Sequence, residues 1–200
     1  EVANMQTSTL FEMRLGQAAG VVGVGAAAIV PTYDLSCPVC PWGSIHPTDK
    51  QDVGARIASR LGSLILNAPA PMGPAAVSAT ATLHSSSNVT TVSIVFKKQD
   101  DTAPLKLLPT RNCTLCCNAG SDLDVSIDGG AQWVAGNGPA VVMRENTITF
   151  EATLPVGAVG WGGAMLVRYT ATQVYPQCAI SDGTKLPAYP FQLKVAVQLP

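Results

Sequence analysis

The stretch "NAPAPMGPAAVSATATL", residues 67–83, decides how this sequence divides. Its first eight residues hold three prolines and a glycine, and a helix cannot continue through them. The nine residues that follow are small or β-branched and are typical of a β-strand. The sequence therefore predicts a linker at 68–74, with different kinds of structure on its two sides.

After the linker, short segments with alternating or β-branched composition follow one another as far as the end of the chain. Glycine, proline, asparagine and aspartate separate them, most clearly at "DGG", residues 128–130. Many short strands at this spacing favour an antiparallel β-sandwich over residues 75–200. The predicted strands are "AAVSATATL" (75–83), "VTTVSIVFK" (89–97), "DLDVSID" (122–128), "NTITFEATL" (146–154), "AMLVRYTAT" (164–172) and "FQLKVAVQL" (191–199).

Before the linker, the spacing of apolar residues predicts a helix with one apolar stripe. Its start has two interpretations: Pro47 at the first helical position, or a capping box made by Thr48 and Gln51. Asp49 and Asp52 then stand in the first turns, where carboxylates stabilise the helix dipole. The stripe consists of Val53, Ile57, Leu61, Leu64 and Ile65.

The apolar run from Ala18 to Pro31 is typical of a strand that is buried on both faces, as in a parallel sheet covered by helices. Residues 1–67 then correspond to the last strand, loop and helix of an α/β domain. One strand cannot form a sheet. The sequence therefore predicts that a second polypeptide completes this domain.

Composition gives no reason to expect binding to nucleic acid or to an anionic membrane surface, nor a segment that spans a bilayer. Only 12% of the residues are charged, the formal net charge is −1, and no segment is apolar enough to cross a bilayer. Six cysteines and two glycosylation sequons, at Asn88 and Asn112, predict a disulfide-bonded glycoprotein in a secreted or lysosomal setting. Cys37 and Cys40 favour a structural disulfide over a metal site, and no metal or cofactor is predicted. The chain opens with Glu1, which suggests a processed product.

His46 is the candidate catalytic residue. It lies on a loop between the predicted buried strand and the helix, where functional groups gather in open α/β sheets. It could serve as the general base for a serine nucleophile. Alternatively, it is an ordinary residue at a helix start that bonds to the local backbone.

Three segments resemble the sialate O-acetylesterases, within the wider SGNH-type esterases. "CPWGSIHPTDKQDVGARIASRL" (40–61) resembles their catalytic-histidine segment, with Ile45-His46-Pro47 as the specific motif. "LCCNAGSDLDVSIDGGAQWV" (115–134) resembles their Cys-Cys strand and hairpin. "LVRYTATQVYPQCAISDGTKLPAYPFQL" (166–193) resembles their closing segment.

This resemblance implies a flavodoxin-like α/β domain followed by the sandwich, and a serine-dependent carbohydrate O-acetylesterase acting on O-acetylated sialic acid or a related sugar. His46 is then the triad histidine. The wider group has aspartate three residues earlier, where this chain has Gly43, so Asp34 is the candidate third member. No serine here stands in the required nucleophile block. The nucleophile is therefore expected on an N-terminal chain of the same precursor.

The aromatic residues divide between site and core. Trp42, four residues before His46, is a candidate wall of a sugar pocket. Trp133, Trp161 and Tyr169 are predicted to lie in the sandwich core or to cover a hairpin. His84 is predicted to be an exposed loop residue. The alternative function is a catalytically inactive extracellular module that binds carbohydrate or serves as a scaffold.

Overall fold

The computed structural model describes residues 7–21, 24, 27–35, 49–67, 72–84, 87–98, 102–109, 122–144, 146–157, 164–171, 178–184 and 186–198. Within these residues the chain forms two α-helices, α1 (Thr7–Gly20) and α2 (Lys50–Leu66), and a short 3₁₀ helix at Tyr33–Leu35. The remaining regular structure is β. The fold is thus mostly sheet.

Ten strands follow α2. Each of the six predicted strands is confirmed, although several are shorter than the sequence pattern; the other four were not predicted. The strands are β1 (Ala75–Leu83), β2 (Val89–Lys97), β3 (Lys106–Pro109), β4 (Leu123–Ser126), β5 (Val134–Ala135), β6 (Asn137–Arg144), β7 (Thr147–Thr153), β8 (Leu166–Tyr169), β9 (Cys178–Ser181) and β10 (Phe191–Gln198).

Eight of these strands form one mixed sheet, in the order β5-β4-β8-β10-β1-β2-β7-β6. Its one parallel pairing joins β1 to β10, with Ala79 opposite Val195, and its other pairings are antiparallel. β3 and β9 form a separate two-stranded sheet. Because the β1–β10 pairing joins the two halves, these eight strands form one continuous sheet, and the predicted two-sheet sandwich is not confirmed.

The sheet curls towards a barrel. β5 and β6 lie at its opposite edges, yet Gly136 alone separates them in the sequence. The two edges must therefore approach each other.

The core lies inside this curled sheet. In β2 the buried residues alternate with half-buried ones, so that Thr90, Val92, Ile94 and Phe96 face inward. This period of two is the one that the sequence pattern predicts for a strand with one buried face. The ring of Phe191 from β10 lies 5.7 Å from that of Phe96 and stacks at 5.5 Å on Tyr169 of β8. Strands that are distant in sequence thus share one core.

The strand predicted over residues 18–31 is not found in the described part of that stretch, which is 18–21, 24 and 27–31. Ala18 belongs to the last turn of α1, and Ala27–Thr32 has no ladder with any described strand. A strand exists only through its neighbours, because its backbone groups bond across the ladder. An apolar run alone therefore did not determine a strand here.

The helix prediction before the linker is confirmed, but both interpretations of its start were wrong. Asp49 is the N-cap: its Oδ1 accepts the backbone N–H of Asp52 at 3.1 Å. Asn67 ends the helix in the left-handed conformation, with φ at 51°, and its N–H bonds to the Ser63 carbonyl. No residue of α2 is buried, so the predicted apolar stripe does not face a core of this chain. The division into 1–67 and 75–200 stays a prediction.

Candidate functional site

The predicted site residues are only partly within the described structure. Asp34 and Asn88 are described, and Asn88 is exposed just before β2. His46, Trp42 and Asn112 lie outside the described residues. Their roles as base, sugar-pocket wall and glycan acceptor therefore stay predictions.

The predicted disulfides lie outside the description as well. Cys37, Cys40 and the three cysteines between residues 113 and 117 are not described, nor is the side chain of Cys178. Trp161 is likewise outside. Of the remaining predictions, His84 is exposed after β1, as expected, and its Nε2 lies 2.9 Å from the Thr91 hydroxyl.

Asp34 is held by a two-pronged ion pair. It lies in the 3₁₀ helix, and each of its carboxylate oxygens accepts a hydrogen bond from Arg56 of α2 at 2.7 Å. Arg56 Nη1 also donates to the carbonyl of Pro31 at 2.8 Å. The two side chains are only 14% and 13% exposed, so solvent screens the pair weakly. The pair fastens the start of α2 to the segment that ends at Leu35.

The pKa of Arg56 reflects two opposing effects. Burial disfavours the charged guanidinium, but the hydrogen bonds and the negative charge of Asp34 outweigh burial and raise the pKa of Arg56 above its ordinary value. Arg56 is therefore charged throughout the physiological range. The sequence had placed Arg56 outside the apolar stripe of α2 without giving it a partner. Its forked guanidinium suits a carboxylate, but only the fold shows which one.

Two tyrosines fasten the same segment to the β-region, which we define as residues 75–198, from β1 to β10. The Tyr33 hydroxyl donates to the carbonyl of Ala188 at 2.6 Å. The Tyr189 hydroxyl donates to the carbonyl of Ile29 at 2.9 Å. These bonds connect positions more than 150 residues apart. Residues 29–33 are therefore fixed against the segment between β9 and β10.

Tyr169 lies at the centre of this contact and is fully buried, as predicted. Its hydroxyl lies 3.3 Å from that of Tyr33 and accepts the backbone N–H of Ile180 at 3.0 Å. Burial raises the pKa of Tyr169 well above its ordinary value, with a smaller contribution from the charge of Asp122, while these hydrogen bonds oppose the shift. Tyr169 therefore stays neutral and structural.

Helix α1, which the sequence did not predict, packs against β8. Arg168 of β8 places its guanidinium carbon 3.9 Å from the ring centre of Trp133 and 5.6 Å from that of Phe11 in α1. Arg168 Nε donates to buried Asp124 at 2.9 Å. Trp133 is thus half-buried and stacks on an arginine. The helix was missed because Gly16 and Gly20 weaken its pattern and the adjoining apolar run suggested a strand.

A second contact ties α1 to the end of β8. Arg14 Nη1 donates to the carbonyl of Thr170 at 2.8 Å. Thr170 has a positive φ of 62°, which a β-branched residue rarely adopts, and its backbone N–H bonds to Asp122. The two backbone bonds offset part of that conformational cost.

Between α1, residues 28–33 and α2 lies a groove with a cavity of about 630 Å³, which we call the open groove. Its walls are mainly apolar, and Arg14, Gln17 and Arg60 supply its polar groups, together with Tyr189. Burial raises the pKa of Tyr189, an effect that the nearby charge of Arg60 partly offsets. The apolar wall includes Val21, Ile29, Val30, Ile57, Leu61 and Leu64.

Neither a metal site nor a membrane-spanning helix is found among the described residues. They hold no group of three or more histidine, cysteine or acidic residues placed to bind a metal ion. Neither of their helices is long and apolar enough to cross a membrane.

The chain was compared with known proteins. No family model matches it, and no curated protein matches it. Among solved structures, it is similar to a carbohydrate acetylesterase from Xanthomonas citri, with a TM-score of 0.49 and 18% sequence identity. That likeness covers 80% of this chain and 30% of the other, so the chain spans less than a third of that protein's length.

Proposed function

We propose that this chain is the C-terminal part of a sialate O-acetylesterase-like hydrolase, with the nucleophilic serine on an N-terminal chain of the same precursor. The proposal rests on the resemblance of residues 40–61 to the catalytic-histidine segment of that family. One observation supports it in particular. The helix expected after Ile45-His46-Pro47 forms at Lys50–Leu66, and its Arg56 is tied back to Asp34.

In this mechanism His46 takes the proton from the serine hydroxyl while the serine oxygen attacks the acetyl carbonyl. The tetrahedral intermediate then collapses. The bond to the sugar oxygen breaks, and His46 gives its proton to that oxygen, so the sugar leaves as an alcohol. Water, deprotonated by His46, hydrolyses the acetyl-serine and releases acetate. No cofactor takes part, and Trp42 would form a wall of the sugar pocket.

The ion pair gives Asp34 a role that does not depend on catalysis. In the sequence, Asp34 precedes and Arg56 follows residues 36–48, which include His46. The pair therefore limits where the two ends of that segment can lie. Each carboxylate oxygen has a second lone pair, so Asp34 could also accept the imidazole N–H. The roles of positioning pair and third triad member predict different kinetics.

A partner chain is part of the proposal because no serine of this chain has the required surroundings. The exposed apolar face of α2 supports it, since such a face is normally covered. The expected setting is a secreted or lysosomal compartment, with disulfides and with glycans on Asn88 and Asn112. The alternative, an inactive carbohydrate-binding or scaffold module, is compatible with Gly43 at the position of the wider group's aspartate.

The first experiment tests the divided site. Hydrolysis of 4-nitrophenyl acetate is measured for the 200-residue chain alone and for its complex with the N-terminal chain. We expect turnover only from the complex, and a loss on the order of 10⁴-fold in kcat for His46→Ala. His84→Ala, which changes the exposed histidine, is the matched control and should leave kcat unchanged. Esterase activity from the 200-residue chain by itself would contradict the proposal.

The second experiment separates the two roles of Asp34. If the ion pair only positions the segment, Asp34→Asn, Arg56→Met and the double variant should lower kcat by similar factors, because each removes the same interaction. If Asp34 also orients the imidazole, Asp34→Asn should cost far more than Arg56→Met. It should also shift the acid limb of the pH profile of kcat/KM.

A further inference from the structure

The face of α2 that lines the open groove is largely exposed. Ile57 is 51% exposed, Leu61 53% and Leu64 40%, although they form one stripe at helical spacing. Soluble proteins rarely expose a contiguous apolar patch of this kind unless it binds something. The stripe therefore indicates an interface. The other wall of the open groove indicates which kind of structural element binds there.

That other wall is a length of backbone with unused hydrogen-bonding groups. Ala28, Ile29 and Val30 are half-buried, and among the described residues their backbone N–H groups have no hydrogen-bond partner. Partly buried backbone groups are normally paired. A small apolar ligand would fill the cavity but would not satisfy successive amides, whereas a β-strand would do both.

This backbone is also held in place before anything binds. Tyr189 bonds to the carbonyl of Ile29, and Arg56 bonds to that of Pro31. Both contacts come from the side chains of neighbouring elements, and both leave the N–H groups of residues 28–30 available. A fixed edge costs less entropy to pair than a loose one.

Charge limits the occupant further. Arg60 Nε is buried without a partner, and no acidic side chain is among the described residues that line the groove. A carboxylate on the occupant next to Arg60 would accept a hydrogen bond from its Nε and balance its charge. A second copy of this chain would bring the arginines of its own groove and so fits less well.

From these observations we propose that the open groove binds an apolar β-strand of the partner chain. The strand pairs with residues 28–30, covers Ile57, Leu61 and Leu64 of α2, and places a carboxylate next to Arg60. The identity of the partner rests on the function proposed above; the kind of element that docks does not. Residues 28–30, which lie in no strand of the described structure, would then contribute the end of the predicted apolar strand to a sheet that two chains share.

Hydrogen exchange tests the pairing directly. The amides of residues 28–30 are followed in the isolated 200-residue chain and in its complex with the N-terminal chain. We expect exchange in the complex to be slower by at least about tenfold, because pairing protects an amide until the interface opens. Equal rates in the two samples, or no association between the chains, would overturn the proposal.

Substitutions test the helix face. Leu61→Glu should weaken binding of the N-terminal chain by at least about tenfold, since it puts a charge into the apolar contact. Leu64→Glu, at the next contact along the same face, provides a second variant. Val156→Glu is the control, because Val156 is an exposed valine in a turn of the β-region. Unchanged thermal unfolding of each isolated variant shows that folding is not the cause. If Leu61→Glu and Leu64→Glu bind like the control, the helix face is not the interface.

Catalysis is measured separately, so that the two proposals can fail independently. The complex is treated with a radiolabelled organophosphate, which modifies an activated serine. If the amides of residues 28–30 are protected in the complex but no serine is labelled, the docking proposal stands and the esterase proposal fails. If a serine is labelled but these amides are not protected, the esterase proposal stands and the docking proposal fails.

Discussion

Strand β2 and helix α2 both carry clear amphipathic patterns, and their outcomes differ. In β2 the inward residues Val92, Ile94 and Phe96 are almost completely buried. In α2 the equivalent apolar residues are exposed, and none of its residues is buried. The difference is not in the strength of the pattern. It lies in whether the described residues include a surface that covers the apolar face.

The neighbours of β2 come from the same chain. β1 and β7 pair with it on both sides, and β10 extends the sheet beyond β1. The inward face of β2 is therefore buried once these strands pair. A pattern of apolar residues tells which face needs a cover, but not which polypeptide provides it.

The N-terminal segment is joined to the β-region by buried side chains, such as Tyr33, and by particular polar contacts. Tyr33, Tyr189 and Arg14 each provide one hydrogen bond across the contact. Such bonds contribute on the order of 1 kcal/mol each. Removing single groups should therefore have graded effects across the two regions.

The largest effect is expected in the β-region. Ile94→Ala removes a fully buried side chain from the middle of β2, where both neighbouring strands limit relaxation. We expect a loss of about 2–5 kcal/mol in the free energy of unfolding, measured by urea denaturation of the 200-residue chain. A loss below about 1 kcal/mol would contradict the close packing of this core.

The next largest effect is expected at the ion pair. Arg56→Met leaves the half-buried carboxylate of Asp34 without its two donors, at a cost of about 1–3 kcal/mol. Asp34→Asn/Arg56→Met should recover part of that loss, because no unpaired charge remains. If the two single losses simply add in the double variant, the two side chains do not act as a pair in solution.

How far the sequence predicts this fold can be judged residue by residue. β1 and β2 begin and end where the sequence pattern predicts, and β2 keeps one face inward along its length. β5 was missed because a two-residue strand carries too short a pattern. The parallel pairing of Ala79 with Val195 joins the two ends of the β-region, and no local pattern reports it.

The candidate site divides in the same way. The helix after His46 could be predicted from the spacing of Val53, Ile57 and Leu61, but its N-cap could not, because Thr48 and Asp49 are both good caps. The pairing of Asp34 with Arg56 depends on how the chain folds back between them. The sequence did not predict the open groove, because an amphipathic helix is normally expected to bury its apolar face against its own chain.

A smaller effect is expected at Tyr169, where the two regions meet. Tyr169→Phe removes the acceptor of the Ile180 N–H and should cost about 1–2 kcal/mol at neutral pH. Because burial raises the pKa of Tyr169, its hydroxyl stays protonated in the folded chain above pH 10, where an unfolded tyrosine ionises. The stability of the wild-type chain should therefore fall as pH rises above 10. Tyr169→Phe should lessen that dependence in urea denaturation at pH 8–11. An unchanged slope would mean that Tyr169 is accessible to solvent.

The smallest effect is expected for Ile57→Ala in the isolated chain. This variant tests most directly the difference between the exposed face of α2 and the buried face of β2. The substitution removes the same atoms as Ile94→Ala, but the side chain of Ile57 is half exposed, so the free energy of unfolding should change by no more than about 0.5 kcal/mol. The same urea titration measures both variants. In the complex with the N-terminal chain, Ile57→Ala should instead weaken association, because the apolar face of α2 is then covered. A large loss of stability in the isolated chain would show that α2 already packs against a core of its own, and the contrast between the two regions would disappear.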